Sequence, residues 1–189
     1  MPFYCSPARA KTPLPSHERP EGRFGICLEE DRVREAVRFN RVFPQKFMGK
    51  THLVAVNEAA AISRADRLPC VGTISLYSCL GLAVHDPQAK VGGAAHLYLD
   101  RSKADMEAVG PMLDLLLHLS DAKGGGVYHV YAFNCINGVR TWSEDLTGHL
   151  NSLMFGMIES GKASGFSHRD ERNFILDVRD GSLFTGRTH

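Results

Sequence analysis

The sequence predicts an α/β domain in which strands carry the chemistry and helices pack outside them. Residues 71–84 form a nearly unbroken apolar run, whereas residues 103–119 and 143–161 carry apolar side chains at helical spacing. The chain has 189 residues, 43% of them hydrophobic, which is enough for one full core. We therefore expect one domain over residues 51–189, preceded by an N-terminal extension over residues 1–50.

The extension has two parts of different composition. Residues 1–20 contain five prolines among scattered polar residues, which predicts a flexible tail. Residues 29–40 begin with acidic residues and continue with arginines, as the helix dipole prefers, so they predict a short basic helix. That helix would place Val33, Ala36 and Val37 on one face.

The basic character continues to residue 50, with Phe39, Phe43 and Phe47 interleaved. This pattern is typical of a solvated charged face whose aromatic residues pack on the domain. A docking surface for an acidic partner is the alternative interpretation.

The core begins with strands. Residues 52–56 predict the first strand, and residues 57–67 form either a short helix or an irregular connection. The apolar run that follows is too long for one strand and is interrupted by Ser78 and Gly81. We therefore expect two strands that bend around Cys79.

A turn and a return strand come next. Asp86 and Pro87 predict the turn, because aspartate accepts hydrogen bonds from nearby backbone N–H groups and proline presets φ. Residues 90–99 predict the return strand, in which Gly92 and Gly93 allow a bend or a close approach of another segment.

The second half alternates helices and strands. Residues 103–119 predict a long helix that covers the sheet, and residues 127–133 alternate as a strand does. Residues 143–161 predict a further helix. An Asp-Gly turn predicts a closing hairpin between strands at residues 174–178 and 182–184.

The candidate chemistry is a thiol and an imidazole on adjacent strands. Cys79 and His96 can meet if the predicted turn joins their strands, and an imidazole that takes the thiol proton creates a nucleophilic thiolate. The alternative is that Cys79 is a small buried hydrophobic residue. His129 is a second candidate base, and Cys70 is expected to fill space in the core.

A family resemblance rests on these residues. Thr73, the pair Ser78-Cys79 and the motif Gly92-Gly93-Ala94-Ala95-His96 resemble, in order and spacing, the signature of the chemoreceptor glutamine deamidases, the CheD family. That family has a threonine, a Ser-Cys pair and a Gly-Gly-x-x-His motif. The resemblance covers roughly 130 residues, the size of one ordinary domain.

The resemblance implies a mixed-strand β-sandwich-like core flanked by helices, and a hydrolase that converts protein glutamine side chains to glutamate with release of ammonia. It implies a catalytic triad of Cys79 as nucleophile, His96 as base and Thr73 as the residue that orients the imidazole. Backbone N–H groups of Ser78 and Cys79 would form the oxyanion hole. Tyr77 stands where the family usually has glycine and would shape the pocket. No metal or organic cofactor is implied.

The resemblance also implies the partners. The substrate would be a protein that bears glutamine, a chemoreceptor above all, and a regulatory phosphatase would bind the enzyme. Cysteine-dependent deamidase toxins use the same Cys-His chemistry, so a secreted effector that acts on host proteins is one alternative. A catalytically inactive binding domain of the same fold is the other.

Composition excludes several classes of function. Twenty-two basic and twenty-one acidic residues leave almost no net charge, so nucleic acid and anionic membranes are not expected partners. Five cysteines without a C-x-x-C pair predict neither a disulfide framework nor a zinc site. No apolar run reaches the length of a membrane helix, and no secretory signal is evident, so a bacterial-type cytoplasm is expected.

Overall fold

Two β-sheets packed face to face, each with a helix on its outer side, form the core. The computed structural model of the chain describes residues 22–25, 29–77, 79–98, 109–121, 124, 126–133 and 163–186. The described strands are β1 (Gly22–Gly25), β2 (Thr51–Leu53), β3 (Glu58–Ser63), β4 (Cys70–Thr73), β5 (Cys79–Asp86), β6 (Val91–Tyr98), β7 (Tyr128–Phe133), β8 (Ala163–Arg169), β9 (Phe174–Asp177) and β10 (Leu183–Thr185). The described helices are α1 (Glu29–Val42), a short 3-10 helix (Gln45–Phe47) and α2 (Val109–Asp121). The predicted α/β class is confirmed at this level.

The larger sheet has the strand order β1-β3-β6-β5-β7-β8, and the smaller sheet has the order β10-β9-β4-β2. Two pairs are parallel, β7 with β8 and β2 with β4, and the other pairs are antiparallel. The strands are therefore mixed in direction, and β5 and β6 lie in the middle of the larger sheet.

Strand alternation separates the core into three apolar layers. Leu80, Leu82 and Val84 on β5 pack in the layer under α2, whereas Cys79 and Ala83 face the smaller sheet. A third layer lies between the smaller sheet and the N-terminal segment, built from Phe39, Phe43, Phe47, Cys70, Ile74 and Ile175. The layer between the two sheets is the one that holds the candidate site.

Helix α1 spans the predicted basic helix, but it buries a different face. Val33 and Val37 are 57% and 51% exposed, while Phe39 and Phe43 are buried. The prediction that the aromatic residues pack on the domain is confirmed, because Phe39, Phe43 and Phe47 form a chain of ring contacts that ends on Phe184 of β10. Burial of these three phenylalanine rings removes far more apolar area from water than burial of Val33 and Val37 would.

One predicted connection is wrong. Residues 57–67 contain a six-residue strand, β3, that pairs with β1 and β6 and is buried along its whole length. Its alanines favour a helix in isolation, but a central strand covered on both faces requires small apolar side chains. Asn57 enters the strand with a φ of 63°, a backbone conformation that asparagine tolerates well.

The other predicted elements that fall on described residues are confirmed. The apolar run forms two strands, β4 and β5, and the return strand, the 127–133 strand and the closing hairpin follow as β6, β7 and the β9–β10 pair. Strands β1 and β8 were not predicted. The sequence of β8, ASGFSHR, has no β-branched residue, and among the described strands it pairs with β7 alone.

Some predictions lie outside the described residues, namely the flexible tail, the start of the 103–119 helix and the whole 143–161 helix. Within the described part of the chain, no helix is both long and apolar enough to cross a membrane.

Asp86 fixes the turn between β5 and β6. Its Oδ1 accepts hydrogen bonds from the backbone N–H groups of Gln88 at 2.8 Å and Ala89 at 2.9 Å. Its Oδ2 accepts the hydroxyl of Ser120 in the last turn of α2. Asp86 is fully buried, so one carboxylate holds both the hairpin and the helix against it.

We predict that Asp86→Ala lowers the free energy of unfolding by about 2 to 4 kcal/mol, because two buried donors and one partly buried donor lose their acceptor. Urea unfolding measures this change. Asp114→Ala, on the exposed side of α2, is the control and should change stability by less than about 0.5 kcal/mol. A cost for Asp86→Ala no larger than that of the control would contradict the assignment.

Candidate active site

Thr73 and His96 meet across the two sheets. Thr73 is the last residue of β4 in the smaller sheet, and His96 lies on β6 in the larger one. Thr73 Oγ1 lies 2.7 Å from His96 Nδ1, and both side chains are fully buried. This is a hydrogen bond between residues that are 23 positions apart in sequence.

The second contact of Thr73 fixes the tautomer of His96. Thr73 Oγ1 also lies 2.7 Å from the carbonyl oxygen of Val54. A carbonyl oxygen only accepts, so the single hydroxyl proton of Thr73 is donated to Val54. The hydroxyl oxygen must then accept from His96, which places the ring proton on Nδ1 and leaves a lone pair on Nε2.

The Nε2 atom carries a lone pair that is available to accept a proton. It is buried and has no hydrogen-bond partner among the described residues. Burial lowers the pKa of His96 to about 3, because the charged imidazolium loses its hydration in the core. The ring is therefore neutral at neutral pH and keeps the Nε2 lone pair.

Cys79 lies on the same face of the larger sheet as His96. It is on the neighbouring strand β5, two residues before the register partner of His96. The β5–β6 register pairs Gly81 with His96 and Cys79 with Tyr98. Cys79 and His96 are thus diagonal neighbours, whose Cα atoms are typically about 7 to 8 Å apart. The thiol is not hydrogen-bonded to Nε2 in this structure, since Nε2 has no partner among the described residues. Cys79 belongs to the apolar layer between the sheets and is buried, with a reduced thiol.

Gly81 makes room for this arrangement. A Cβ at Gly81 would lie 2.5 Å from Leu76 Cδ1 and 2.8 Å from Phe174 Cε1. The ring of Phe174 stacks on Phe133 with centroids 4.0 Å apart. The side chains that occupy the space beside Cys79 are therefore large and apolar.

The segment just before Cys79 is held by the segment before β9. Asn173 Oδ1 accepts the N–H of Ser75 at 2.8 Å, and Arg172 O accepts the N–H of Leu76 at 3.0 Å. Tyr77 is 56% exposed, and the guanidinium of Arg172 lies 5.3 Å from its ring centroid. Tyr77 and Arg172 together define what we call the entrance edge of the site.

The predicted site residues thus have different outcomes. The structure brings Thr73 and His96 into contact, places Cys79 beside His96 on the same face, and puts Tyr77 at the surface next to them. Ser78 lies outside the described residues. The catalytic roles of these residues stay a prediction.

The other histidine and cysteine considered lie elsewhere. His129 is exposed on β7 and pairs with His85, at the opposite end of β5 from Cys79. Cys70 packs on the outer face of the smaller sheet, where burial and the nearby Asp177 carboxylate raise its pKa to about 11. A thiol of this kind stays protonated, which agrees with its interpretation as a space-filling residue.

Sequence analysis missed two polar residues near the site. Asn173 is fully buried and holds the segment before Cys79, and Glu58 is buried opposite His96 in the β3–β6 register. The misassignment of residues 57–67 hid Glu58, because only a strand partner of β6 brings it near His96. The signal in the sequence was Glu58 itself, a charged residue directly before the apolar residues 59–62.

Comparison with known proteins adds no assignment: the chain matches no protein-family model and no curated protein.

We predict that His96 makes the folded protein less stable in acid. In the unfolded chain His96 takes up a proton near pH 6.5, whereas in the folded chain it stays neutral down to about pH 3. The unfolded state then binds more protons, so the free energy of unfolding falls as the pH decreases, by up to about 1.4 kcal/mol per pH unit from this residue.

Urea unfolding of the wild type and His96→Gln at about pH 7 and about pH 5 tests this prediction. The loss of stability on acidification should be smaller in His96→Gln by about 2 kcal/mol. His118→Gln, an exposed histidine on α2, is the control substitution. Equal losses in wild type and His96→Gln would show that His96 is not held neutral by the fold.

Proposed function

We propose that this protein is a cysteine-dependent hydrolase that deamidates glutamine side chains of a protein substrate. One observation carries the proposal: Thr73 fixes His96 in the Nδ1–H tautomer, with Nε2 unpaired among described residues and Cys79 on the neighbouring strand of the same face. A thiol, a base and a residue that orients the base are what nucleophilic amide hydrolysis requires.

The first half-reaction forms a thioester. His96 Nε2 takes the Cys79 thiol proton, and the sulfur attacks the carboxamide carbon of the bound glutamine. The tetrahedral intermediate collapses when its C–N bond breaks, and His96 returns the proton to the leaving nitrogen, so that ammonia departs. While His96 carries the extra proton it is an imidazolium, and Thr73 holds its Nδ1–H in place.

The second half-reaction hydrolyses the thioester. His96, neutral again, removes a proton from a water molecule, which attacks the acyl carbon and releases the Cys79 sulfur. His96 then returns the proton to the sulfur. The products are a glutamate side chain and ammonia, and the enzyme regains its starting state.

The surroundings of Cys79 suit a side-chain substrate. Leu76, Phe133 and Phe174 lie in the same apolar layer as Cys79, and they would contact the methylene groups of a glutamine whose carboxamide reaches the thiol. The backbone N–H of Cys79 is our candidate for one oxyanion donor, as is that of Ser78. At the entrance edge, Tyr77 and Arg172 would contact the substrate backbone.

The resemblance to the CheD family supplies the substrate class of this proposal. It favours the glutamines of a chemoreceptor, a cytoplasmic setting and a regulatory phosphatase as binding partner. The Thr73–His96 contact supports it, since the resemblance assigns the orienting role to that threonine and the two side chains are in hydrogen-bond contact. No metal or organic cofactor takes part in the proposed steps.

We predict that the purified protein releases ammonia from a chemoreceptor cytoplasmic fragment and converts specific glutamines to glutamate, as peptide mass spectrometry would show. Cys79→Ala should lower the rate at least about a thousandfold, because the nucleophile is lost. Cys70→Ala is the matched control, a buried cysteine on the other face of the smaller sheet, and should keep most of the activity.

Two outcomes would reject the proposal. Undiminished turnover by Cys79→Ala would exclude the thiol as nucleophile. Absence of turnover by the wild type on the receptor fragment and on unfolded glutamine-rich protein would favour the binding-domain interpretation.

A further inference from the structure

We propose that Glu58 is a positioning residue for the active site, and that its carboxylate supports the basicity of His96 through a buried chain of hydrogen bonds. The chain runs from Glu58 through the Val54–Ala55 peptide group and the Thr73 hydroxyl to His96 Nδ1. The inference deepens the proposed function, because it rests on the Cys79–His96 pair of that function.

The first link joins the carboxylate to a peptide group. Glu58 Oε2 accepts a hydrogen bond from the backbone N–H of Ala55 at 3.0 Å. The nitrogen of Ala55 and the carbonyl of Val54 belong to one planar peptide unit, whose electrons are delocalised from nitrogen to oxygen. A negative acceptor on the N–H side therefore increases the negative charge on the Val54 oxygen.

The second link joins that oxygen to the imidazole. Val54 O accepts the Thr73 hydroxyl at 2.7 Å, and Thr73 Oγ1 accepts Nδ1–H of His96 at 2.7 Å. A stronger carbonyl acceptor makes the hydroxyl oxygen a stronger acceptor in turn. The negative charge of Glu58 is thus transmitted to Nδ1, where it favours positive charge on the ring.

The backbone holds every member of the chain in place. Glu58 N–H donates to Ala55 O at 3.0 Å, so Glu58 closes the 55–58 turn with both its backbone and its side chain. Asn57 N–H donates to His96 O at 2.8 Å, and Val54 N–H donates to Gly72 O at 2.8 Å. The turn is therefore bonded to the strand of the base and to the strand of Thr73.

The chain is shielded from water, which makes its polarisation effective. Glu58, Val54, Ala55, Thr73 and His96 are all buried. In a medium of low dielectric constant, hydrogen bonds to a charged group are stronger than in water.

Other titratable groups also share the layer between the sheets. Among the described residues they are Cys79 and His85 on β5, His52 on β2 and the partly buried Tyr131 on β7, in addition to Glu58 on β3. Asp177 lies on the opposite face of the smaller sheet, beside Cys70. The test must therefore distinguish the effect of the Glu58 charge on His96 from the effect of removing any buried charge.

The experiment compares Glu58→Gln, Glu58→Ala and Asp177→Asn with the wild type, in the full-length protein. Glutamine keeps an oxygen that accepts from Ala55 and loses only the charge, whereas alanine loses both. Asp177→Asn removes a buried carboxylate away from the site and serves as the matched control. The readouts are the rate of iodoacetamide alkylation at Cys79 and the proton resonance of His96 Nδ1–H.

We expect Glu58→Gln to slow Cys79 alkylation roughly tenfold, the effect of about one pKa unit on the base. The Nδ1–H resonance should move upfield, because the hydrogen bond to Thr73 weakens. Asp177→Asn should change neither. A rate and a resonance in Glu58→Gln equal to the wild type, with effects in Glu58→Ala alone, would show that Glu58 is purely structural and would overturn the inference.

The same experiment distinguishes this inference from the proposed function. If wild-type Cys79 reacts no faster than Cys70, the Cys79–His96 pair itself is inactive, and the proposed function and the role of Glu58 both fail. If wild-type Cys79 is fast and Glu58→Gln is equally fast, only the role of Glu58 fails.

Discussion

The hydrogen bond between Thr73 and His96 is the contact on which the candidate site depends. It joins the two sheets through the apolar layer between them, at a position where both partners are fully buried. An imidazole in that layer without a partner for Nδ1 would be costly, so the sandwich constrains the threonine as strongly as the chemistry does. The fold and the tautomer of the base are fixed by the same bond.

Beside the Thr73–His96 hydrogen bond, the absence of a side chain at Gly81 leaves space that Leu76 and two phenylalanine rings fill. Gly81 faces His96 across the β5–β6 pair, and a Cβ there would collide with Leu76 and Phe174. The stacked rings of Phe133 and Phe174 then form a rigid wall next to Cys79. The apolar, closely packed surrounding keeps the imidazole neutral until it takes the thiol proton.

The parts of the fold that sequence predicts are those with strong local signals. The Asp86-Pro87 turn, the apolar strand with Cys79 and the stripe of α2 each follow from a few neighbouring residues, and all of them are found. The Thr73, Cys79 and His96 set also came from sequence order, through the resemblance. What sequence order could not supply was that Thr73 and His96 lie in different sheets.

The parts that sequence does not predict depend on partners distant in the chain. Strand β3 has alanines that favour a helix locally, and only its place between β1 and β6 explains it. Glu58 acquires its position opposite His96 from that pairing. Likewise, Val33 and Val37 of α1 are exposed, whereas Phe39 and Phe43 are buried against the outer face of the smaller sheet. The sequence pattern of α1 alone does not show which side chains this sheet covers.

The alkylation of Cys79 in wild type and His96→Ala is the most direct test of the account. Iodoacetamide labels each cysteine at a rate that peptide mass spectrometry resolves, and Cys70 provides the internal reference in the same molecule. The account predicts that Cys79 reacts much faster than Cys70 at neutral pH and loses this advantage in His96→Ala. A Cys79 that reacts no faster than Cys70, or that keeps its rate without His96, would contradict the account.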